Sequence, residues 1–243
     1  MECGEAEEDR EIREKVKTEG WGEFNIHVYD LETSKETVID EPGTQWYPSL
    51  YKNKMVWIDY RHPHVNGDVY LYDLETENET RITYDNLVHQ YSPKIYGTKI
   101  VWMDQKVNGV EDIWLYDLET GKKKRITKDP SSQMSPAIYG NKIVWEDNRN
   151  GNWDIYMYDL ETEQEKQITT NPNDQGCPDI YGNNIVYADN RNGNWDIYMY
   201  DLETGKETQI TTDATHQMKP KIYENYIVFL ESDGDYFRLW AYD

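Results

Sequence analysis

Long apolar runs and cysteines are both scarce in this chain of 243 residues. No stretch reaches the roughly 18 apolar residues of a membrane-spanning helix, and no apolar signal-peptide core is visible. The two cysteines, Cys3 and Cys177, are too few for disulfides to hold the fold together, although Cys3 could serve as a lipid-anchor cysteine near a mature N-terminus. We therefore expect either a cytoplasmic protein or the mature or trimmed form of an exported one.

Signatures of catalysis are missing as well. The sequence has no Gly-x-Ser-x-Gly nucleophile elbow, no His-Glu-x-x-His helix and no phosphate-binding loop. A glycoside hydrolase or lyase that uses two carboxylates stays open as an alternative, because Asp and Glu occur throughout the chain. We expect a protein without catalytic residues.

Positive charge is in short supply. The 25 Lys and Arg residues face 47 Asp and Glu residues, which gives a formal net charge of -22. Nucleic-acid binding requires clustered Lys and Arg, and an anionic membrane surface repels such a chain. The charge would suit a cationic partner or divalent ions, and it also keeps a protein soluble.

A repeated phrase dominates what is present. Tyr-Asp-Leu-Glu-Thr begins at five positions: Tyr29, Tyr72, Tyr116, Tyr158 and Tyr200. Tyr242-Asp243 is a shortened sixth copy. The spacing of 42 to 44 residues indicates one supersecondary unit copied many times. Repeated residues are then first of all scaffold residues, so function has to be sought where the copies differ.

One copy, from Gln133 to Thr169, shows the structure of the unit. Two apolar runs surround a Gly-Asn turn, an Asn-Gly turn follows, and Asp154-Ile-Tyr-Met-Tyr-Asp159 leads through a further turn into Glu165-Lys-Gln-Ile-Thr169. β-branched and aromatic residues fill the runs, whereas Gly, Asn, Asp and Pro hold the turns. Four short antiparallel strands per copy are typical of a propeller blade.

The strand count predicts an all-β fold, a single β-propeller over residues 24–243 with five four-stranded blades. Five innermost strands begin at prolines: Pro48, Pro93, Pro136, Pro178 and Pro220. A fourth strand around Val38 would close the ring by completing the C-terminal blade. A surplus strand at 24–29 would lie outside that blade or displace its C-terminal rival, or exchange between molecules in a dimer. The alternative is six blades with a degenerate first blade. Residues 1–23 are expected to be a charged arm, helical or disordered.

The repeat resembles the TolB-type propeller family, whose motif is an apolar strand ending in an aromatic, then Asp, Arg, a Gly turn and Asp-Ile-Tyr. Here it reads Ile143-Val-Trp-Glu-Asp-Asn-Arg-Asn-Gly-Asn-Trp-Asp-Ile-Tyr156. The resemblance covers about residues 24–243 and implies a binding platform, an accessory domain of a peptidase or a bacterial or archaeal surface protein. The family's periplasmic protein-interaction member has six blades, so the count of five departs from it. The resemblance also implies an extracellular or cell-envelope location, with the cytoplasm left open.

An acidic turn is the first candidate site. It has the form Asp-x-Arg-x-Gly with a later Asp and occurs in three copies: Asp59, Arg61 and Asp68; Asp147, Arg149 and Asp154; Asp189, Arg191 and Asp196. Several carboxylates could converge on calcium, but an Arg occupies a ligand position and would join two carboxylates without a metal. We predict structural clusters and no metal or other cofactor, with calcium as the alternative.

The loop that enters each innermost strand is the second candidate. Five glutamines stand three residues before the blade-opening prolines: Gln45, Gln90, Gln133, Gln175 and Gln217. They could ring one mouth of the propeller channel and bind a ligand, or they could instead satisfy backbone groups between blades. The residues that follow them differ between copies, and we place Trp46 and Tyr91 with the glutamines at a binding mouth. His89 and His216 precede two of the glutamines. One longer turn carries Tyr60, His62, His64 and Val65, and His62 with His64 alone makes a weak transition-metal site.

These patterns together predict a non-catalytic scaffold that presents loop surfaces to a protein partner. A lectin-like glycan-binding propeller is the alternative, favoured if similar aromatic pockets recur between blades. A monomer is the preferred state.

Overall fold

A computed structural model describes residues 24–62, 66–85, 87–106, 108–234 and 236–242, and every regular element in these ranges is a β-strand. No helix in the described ranges has the length and apolar character needed to cross a membrane. The predicted arm, residues 1–23, lies outside the described residues. The chain divides into two compact units, residues 1–93 and 94–243, which are described one at a time.

The first unit contains a two-stranded hairpin and one complete blade. The hairpin is β1 (Ile26–Tyr29) with β2 (Glu36–Ile39), and blade 1 follows in the order β3-β4-β5-β6. The strands of blade 1 are β3 (Gln45–Tyr51), β4 (Lys54–Asp59), β5 (Asp68–Asp73) and β6 (Asn78–Arg81). Ile26 and Ile39 of the hairpin pack with Met55, Trp57 and Tyr70 of blade 1, so both sheets share one apolar core.

The second unit contains most of the repeat. Blade 2 begins with β7 (His89–Tyr96), which crosses the boundary between the units, and continues through β8 (Lys99–Gln105), β9 (Glu111–Asp117) and β10 (Lys122–Arg125). Blade 3 is β11 (Gln133–Tyr139), β12 (Lys142–Asp147), β13 (Asp154–Asp159) and β14 (Gln164–Gln167). Blade 4 is β15 (Gln175–Tyr181), β16 (Asn184–Asp189), β17 (Asp196–Asp201) and β18 (Glu207–Gln209), and blade 5 is β19 (His216–Tyr223), β20 (Tyr226–Ser232) and β21 (Phe237–Tyr242).

The core lies between neighbouring blades. Val101 and Ile113 of blade 2 pack with Ile143, Trp145 and Tyr156 of blade 3 in one buried cluster. Blades 3 and 4 offer apolar side chains on both of their faces, because they are covered on both sides, and their second strands are therefore almost continuously buried. Sheets of this kind are stable only when stacked against copies of themselves.

A β-bulge shapes the entry to each innermost strand. In blade 3 the pairing of β11 with β12 shifts by one residue between Met134 and Ala137, and Ser135, directly before Pro136, has a φ of 53°. The matching residues in the other blades also have positive φ: Tyr47, Ser92, Cys177 and Lys219. The bulge turns the residues just after each Gln away from the regular ladder and re-aims their side chains.

The fold is the predicted all-β, five-bladed propeller. Two details differ from the strand count. Val38 pairs with His27, so that β2 is the partner of the surplus strand β1, and the two form a hairpin of their own. Blade 5 contains three strands among the described residues, and β21 pairs with β20. The cause is local, because a connection of only six residues, 30–35, joins Tyr29 to the next strand and favours the hairpin over any distant pairing.

Candidate functional site

The repeated Asp and Arg residues join the second strand of a blade to its fourth. In blade 3 the Arg149 guanidinium lies 2.5 Å from the Asp147 carboxylate and 2.6 Å from Glu165, next to the start of β14. The Trp145 indole donates to the same aspartate at 3.1 Å, and the guanidinium covers the ring of Tyr156 at 4.2 Å. Hydrogen bonds to Asp147 raise the pKa of Arg149 above its ordinary value.

Blades 1 and 4 repeat this arrangement. Arg61 lies 2.7 Å from both Asp59 and Glu79, and Arg191 lies 2.5 Å from both Asp189 and Glu207. In each cluster the carboxylates form ion pairs with an Arg of the same blade. In the described part of the chain, no group of three or more His, Cys, Asp and Glu side chains is arranged to hold a metal ion.

The later aspartates of the motif support the turn after the fourth strand. Asp154 accepts from Asn150 at 3.0 Å and Gln167 at 3.1 Å, and Asp196 accepts from Asn192 and Gln209 at 3.0 Å each. Asp68 pairs with Arg81 at 2.7 Å. These contacts account for the repetition of all three positions without a ligand.

The five glutamines are buried. Gln90 and Gln217 donate to the backbone carbonyls of Val88 and Thr215, two residues before each of them, at 2.8 and 2.9 Å. Gln133, Gln175 and Gln45 donate to their own loops in the same way. Two glutamines also accept a hydrogen bond through their side-chain oxygens. The donors are threonine hydroxyls just after the fourth strand of the previous blade, Thr83 to Gln90 at 3.3 Å and Thr211 to Gln217 at 3.0 Å. The carboxamides therefore brace the loops that carry the chain from one blade to the next.

The residues beside the glutamines differ between copies, and in the first unit they form an aromatic face. We define this aromatic face by its members: Phe24, Trp46, Tyr47, Tyr60, His89 and Tyr91. The Trp46 ring centroid lies 5.0 Å from Phe24 and 6.0 Å from Tyr47, and His89 stacks on Tyr91 at 5.9 Å. Phe24 and Tyr47 remain 48% and 45% exposed, so the face is open to solvent.

Local backbone contacts hold the aromatic face in place. The Gln45 amide donates to the Phe24 carbonyl at 2.8 Å, and the Tyr60 amide donates to the Thr44 carbonyl at 3.1 Å. Gly43 has a φ of 91°, and a Cβ there would lie 2.7 Å from the Tyr60 carbonyl oxygen, so this approach requires glycine. Burial, with Tyr91 and Tyr47 close by, raises the pKa of Tyr60 to about 12.

The positions of the later blades that match Trp46 and Tyr91 are not aromatic. Met134, Gly176 and Met218 stand where Trp46 and Tyr91 stand in the first unit. Asn148 replaces Tyr60 and accepts from the Ser132 amide at 3.0 Å, a purely local contact. Sequence comparison of the copies had identified Trp46, Tyr60, His89 and Tyr91 as variable residues, whereas Phe24 and Tyr47 join them through the bulge and the hairpin, which the sequence alone did not locate.

Two further features, a histidine and a cleft, give weaker indications of a binding site. His62 contacts the Tyr70 hydroxyl at 2.7 Å, and His64, its predicted companion, lies outside the described residues.

In the second unit a cleft of about 760 Å³ is lined by residues of β10, β13 and the turn before β14. Four of its charged side chains are paired, since Lys124 lies 2.7 Å from Glu163 and Arg149 lies 2.6 Å from Glu165.

Comparison with known proteins agrees with this architecture. A family model described as PD40, the TolB beta propeller domain, matches residues 48–243. A search of curated proteins finds no match. Among solved structures, TolB from Acinetobacter baumannii aligns with a TM-score of 0.68 and 19% identity over 89% of this chain and 56% of that chain.

Two other solved structures extend the comparison. A putative TolB from Agrobacterium tumefaciens aligns with a TM-score of 0.70 and 19% identity over 90% of this chain and 84% of that one. An acylaminoacyl peptidase from Pyrococcus horikoshii aligns with a TM-score of 0.66 and 14% identity over 89% of this chain and 40% of that one. This chain thus spans 56% of the first structure and 40% of the peptidase, and at such identities the likeness establishes the fold alone.

Proposed function

The chain belongs to the TolB beta propeller domain family, and from this premise we propose that it is a non-catalytic scaffold that binds a protein partner through its aromatic face. The observation that carries the proposal is the concentration of Trp, Tyr and Phe side chains at copy-specific positions of the first unit. Half-exposed Trp and Tyr residues are the types that dominate the binding energy of protein interfaces. The remaining repeated polar residues are occupied by contacts within their own blades.

The net charge of this chain indicates which kind of partner surface it attracts. With a formal net charge of -22, the chain attracts a basic surface over long range and slows its approach to an acidic one. We therefore propose a partner with a basic rim around an apolar patch that covers Trp46 and Tyr91. We place this encounter at the cell envelope, which is what the family resemblance implies, and we expect the chain to act as a monomer.

The alternatives receive less support from the same residues. A lectin-like propeller would repeat its aromatic pocket from blade to blade, but Met134, Gly176 and Met218 occupy the matching positions. A hydrolase would need two carboxylates free to act on a substrate, whereas the carboxylates of the cleft are paired with Lys124 and Arg149. The likeness to an acylaminoacyl peptidase is one of propeller fold and brings no catalytic residue to this chain.

The test is an affinity capture from an envelope fraction with three forms of the full chain. The wild type is compared with the double variant Trp46→Ala/Tyr91→Ala and with Tyr226→Ala, a control that removes an aromatic ring that is 54% exposed in the second unit. We expect the wild type and the control to retain the same partner and the double variant to lose it, with melting temperatures that show all three forms to be folded. Retention of the partner by a folded double variant would refute the proposed site.

A further inference from the structure

The innermost strands of the second unit share a short pattern that places two rows of side chains on one surface. The pattern is a variable residue, then Ile, then Tyr, and it reads Lys94-Ile-Tyr96, Ala137-Ile-Tyr139, Asp179-Ile-Tyr181 and Lys221-Ile-Tyr223. The four isoleucines are buried between blades. Because side chains alternate along a strand, the variable residues and the tyrosines lie together on the opposite side.

The tyrosines form a continuous row of aromatic rings. We call Tyr96, Tyr139, Tyr181 and Tyr223 the tyrosine row. Successive ring centroids are 4.7, 4.7 and 5.2 Å apart, and the rings are tilted by 49–60°. Tyr223 is 66% exposed, so the row opens to solvent at that end.

A charged cluster lies two residues before this row on the same strands. The Lys221 ammonium lies 3.4 Å from Asp179 Oδ1, and Asp179 Oδ2 accepts from the Ile222 amide at 3.0 Å. Both oxygens of the one carboxylate are therefore occupied. Lys94 has no hydrogen-bond or ion-pair partner among the described residues, although it is half-buried.

The electrostatics of Lys94 are those of an ammonium that lacks an anion. Burial and, to a smaller extent, the nearby cation Lys221 lower the pKa of Lys94 to about 8, while Asp179 opposes the change. At neutral pH the group is still mainly protonated. A buried charge without a partner is costly, and a bound anion would remove that cost.

We propose that Lys94 and Lys221 bind the C-terminal carboxylate of a polypeptide whose last residues lie along the tyrosine row. The inference rests on the proposed protein-binding function, but it uses a surface of the second unit that shares no residue with the aromatic face. The two lysines and Asp179 carry a local charge of one positive unit, which matches a single carboxylate.

Charge and ring geometry favour a peptide terminus over an acidic glycan. A polyuronate repeats its negative charge along its length, and the net charge of -22 on this chain repels it. A polypeptide end presents one carboxylate and can be neutral or basic elsewhere. Rings tilted by 49–60° offer edges and hydroxyls between side chains and do not offer one flat face for a sugar.

The experiment begins with the wild-type chain and a display library of peptides with random last residues and free C-termini. The strongest binder is synthesised twice, once with its carboxylate and once as the C-terminal carboxamide, and both are titrated by calorimetry. We expect the carboxamide to bind at least tenfold more weakly. This arm needs no variant, so it does not depend on whether a substitution folds.

Variants then locate the carboxylate. Lys94→Met keeps the length of the side chain and removes its charge, and Lys142→Met, a half-buried lysine at the start of β12, is the matched control. We expect tenfold weaker binding of the free peptide to Lys94→Met, no change for the control, and no difference between acid and amide in Lys94→Met. The peptide should bind Trp46→Ala/Tyr91→Ala as it binds the wild type, which separates this inference from the proposed function.

Four results would overturn the inference. These are a library without binders above background, equal affinity for carboxylate and carboxamide, equal behaviour of Lys94→Met and Lys142→Met, and an oligouronate that binds more tightly than the selected peptide. If the envelope partner is still lost in the aromatic double variant, the proposed function stands while the carboxylate site falls.

Discussion

Arg149→Met removes the cation that joins the second and fourth strands of blade 3. Asp147 is fully buried, and in the variant its carboxylate keeps the Trp145 indole at 3.1 Å and the backbone amide of residue 149 at 3.0 Å but loses the guanidinium at 2.5 Å. Removal of one partner of a buried ion pair costs about 3–5 kcal/mol. Because two donors remain and Arg149 is itself 20% exposed, we expect a smaller loss, about 2–3 kcal/mol.

The assay is thermal and urea unfolding of the full chain at neutral pH. For a chain of this length about 1 kcal/mol corresponds to about 2–4 °C, so the melting temperature should fall by about 5–10 °C. Arg238→Met is the matched control, because Arg238 is 58% exposed and its contacts to Asp233 and Glu231 are 3.4 and 4.0 Å long. An exposed ion pair of this kind contributes about 0–1 kcal/mol.

A second variant tests the cause of the loss. In Arg149→Met/Asp147→Asn the buried negative charge is gone, so part of the lost stability should return. Equal melting temperatures of Arg149→Met and Arg238→Met, or a double variant less stable than the sum of its single variants, would refute the assignment of Arg149 to architecture.

Three further predictions concern the turn and the buried lysine. Asp147→Ala should lower stability and leave partner capture intact, and added calcium should not raise the melting temperature of the wild type; a large calcium-dependent rise would mean that the turn is a metal site. Lys94→Met should be more stable than the wild type at pH 7, by up to about 3 kcal/mol, since its folded pKa is lowered from 10.5 to about 8. The unfolded chain then binds the extra proton between these values, so wild-type stability should rise as the pH increases from about 8 to 10.5, and urea unfolding of Lys94→Met should lack that rise. Peptide binding through a carboxylate needs the ammonium, so calorimetric affinity should fall as the pH rises through about 8, and an affinity that is constant to pH 10 would exclude Lys94 as the ligand.

The sequence contained the fold in the repeated phrase. Copies such as Asp154-Ile-Tyr-Met-Tyr-Asp159 alternate with period two, and turn residues punctuate them, so strand order and blade number follow from counting. The ion pairs of the Asp and Arg turn were equally predictable, because an Arg between aspartates supplies its own counter-charge. The hairpin of β1 with β2 was not predictable from the count, because both strands match blade positions and a short turn decided their pairing.

The site was harder to derive than the fold. Gln45 and its four counterparts were predicted either to ring a binding mouth or to satisfy backbone groups, and the structure places their carboxamides in hydrogen bonds to their own loops. Their burial arises from the packing of the folded chain, which a single sequence does not show. Trp46 and Tyr91 stand out in the sequence because they break the repeat, and their role in binding stays a prediction. The environment of Lys94 is a property of three-dimensional packing, which the sequence does not show.

We expect recognition to lie in copy-specific residues, with the repeated residues maintaining the scaffold. Hydrogen exchange of the wild-type chain with and without the captured partner tests this most directly. We predict slower exchange on binding in segments 42–47 and 89–91, which carry the aromatic face, and unchanged exchange in the Asp and Arg turns at 147–154 and 189–196. Protection centred on those turns, with the aromatic segments unaffected, would contradict the account.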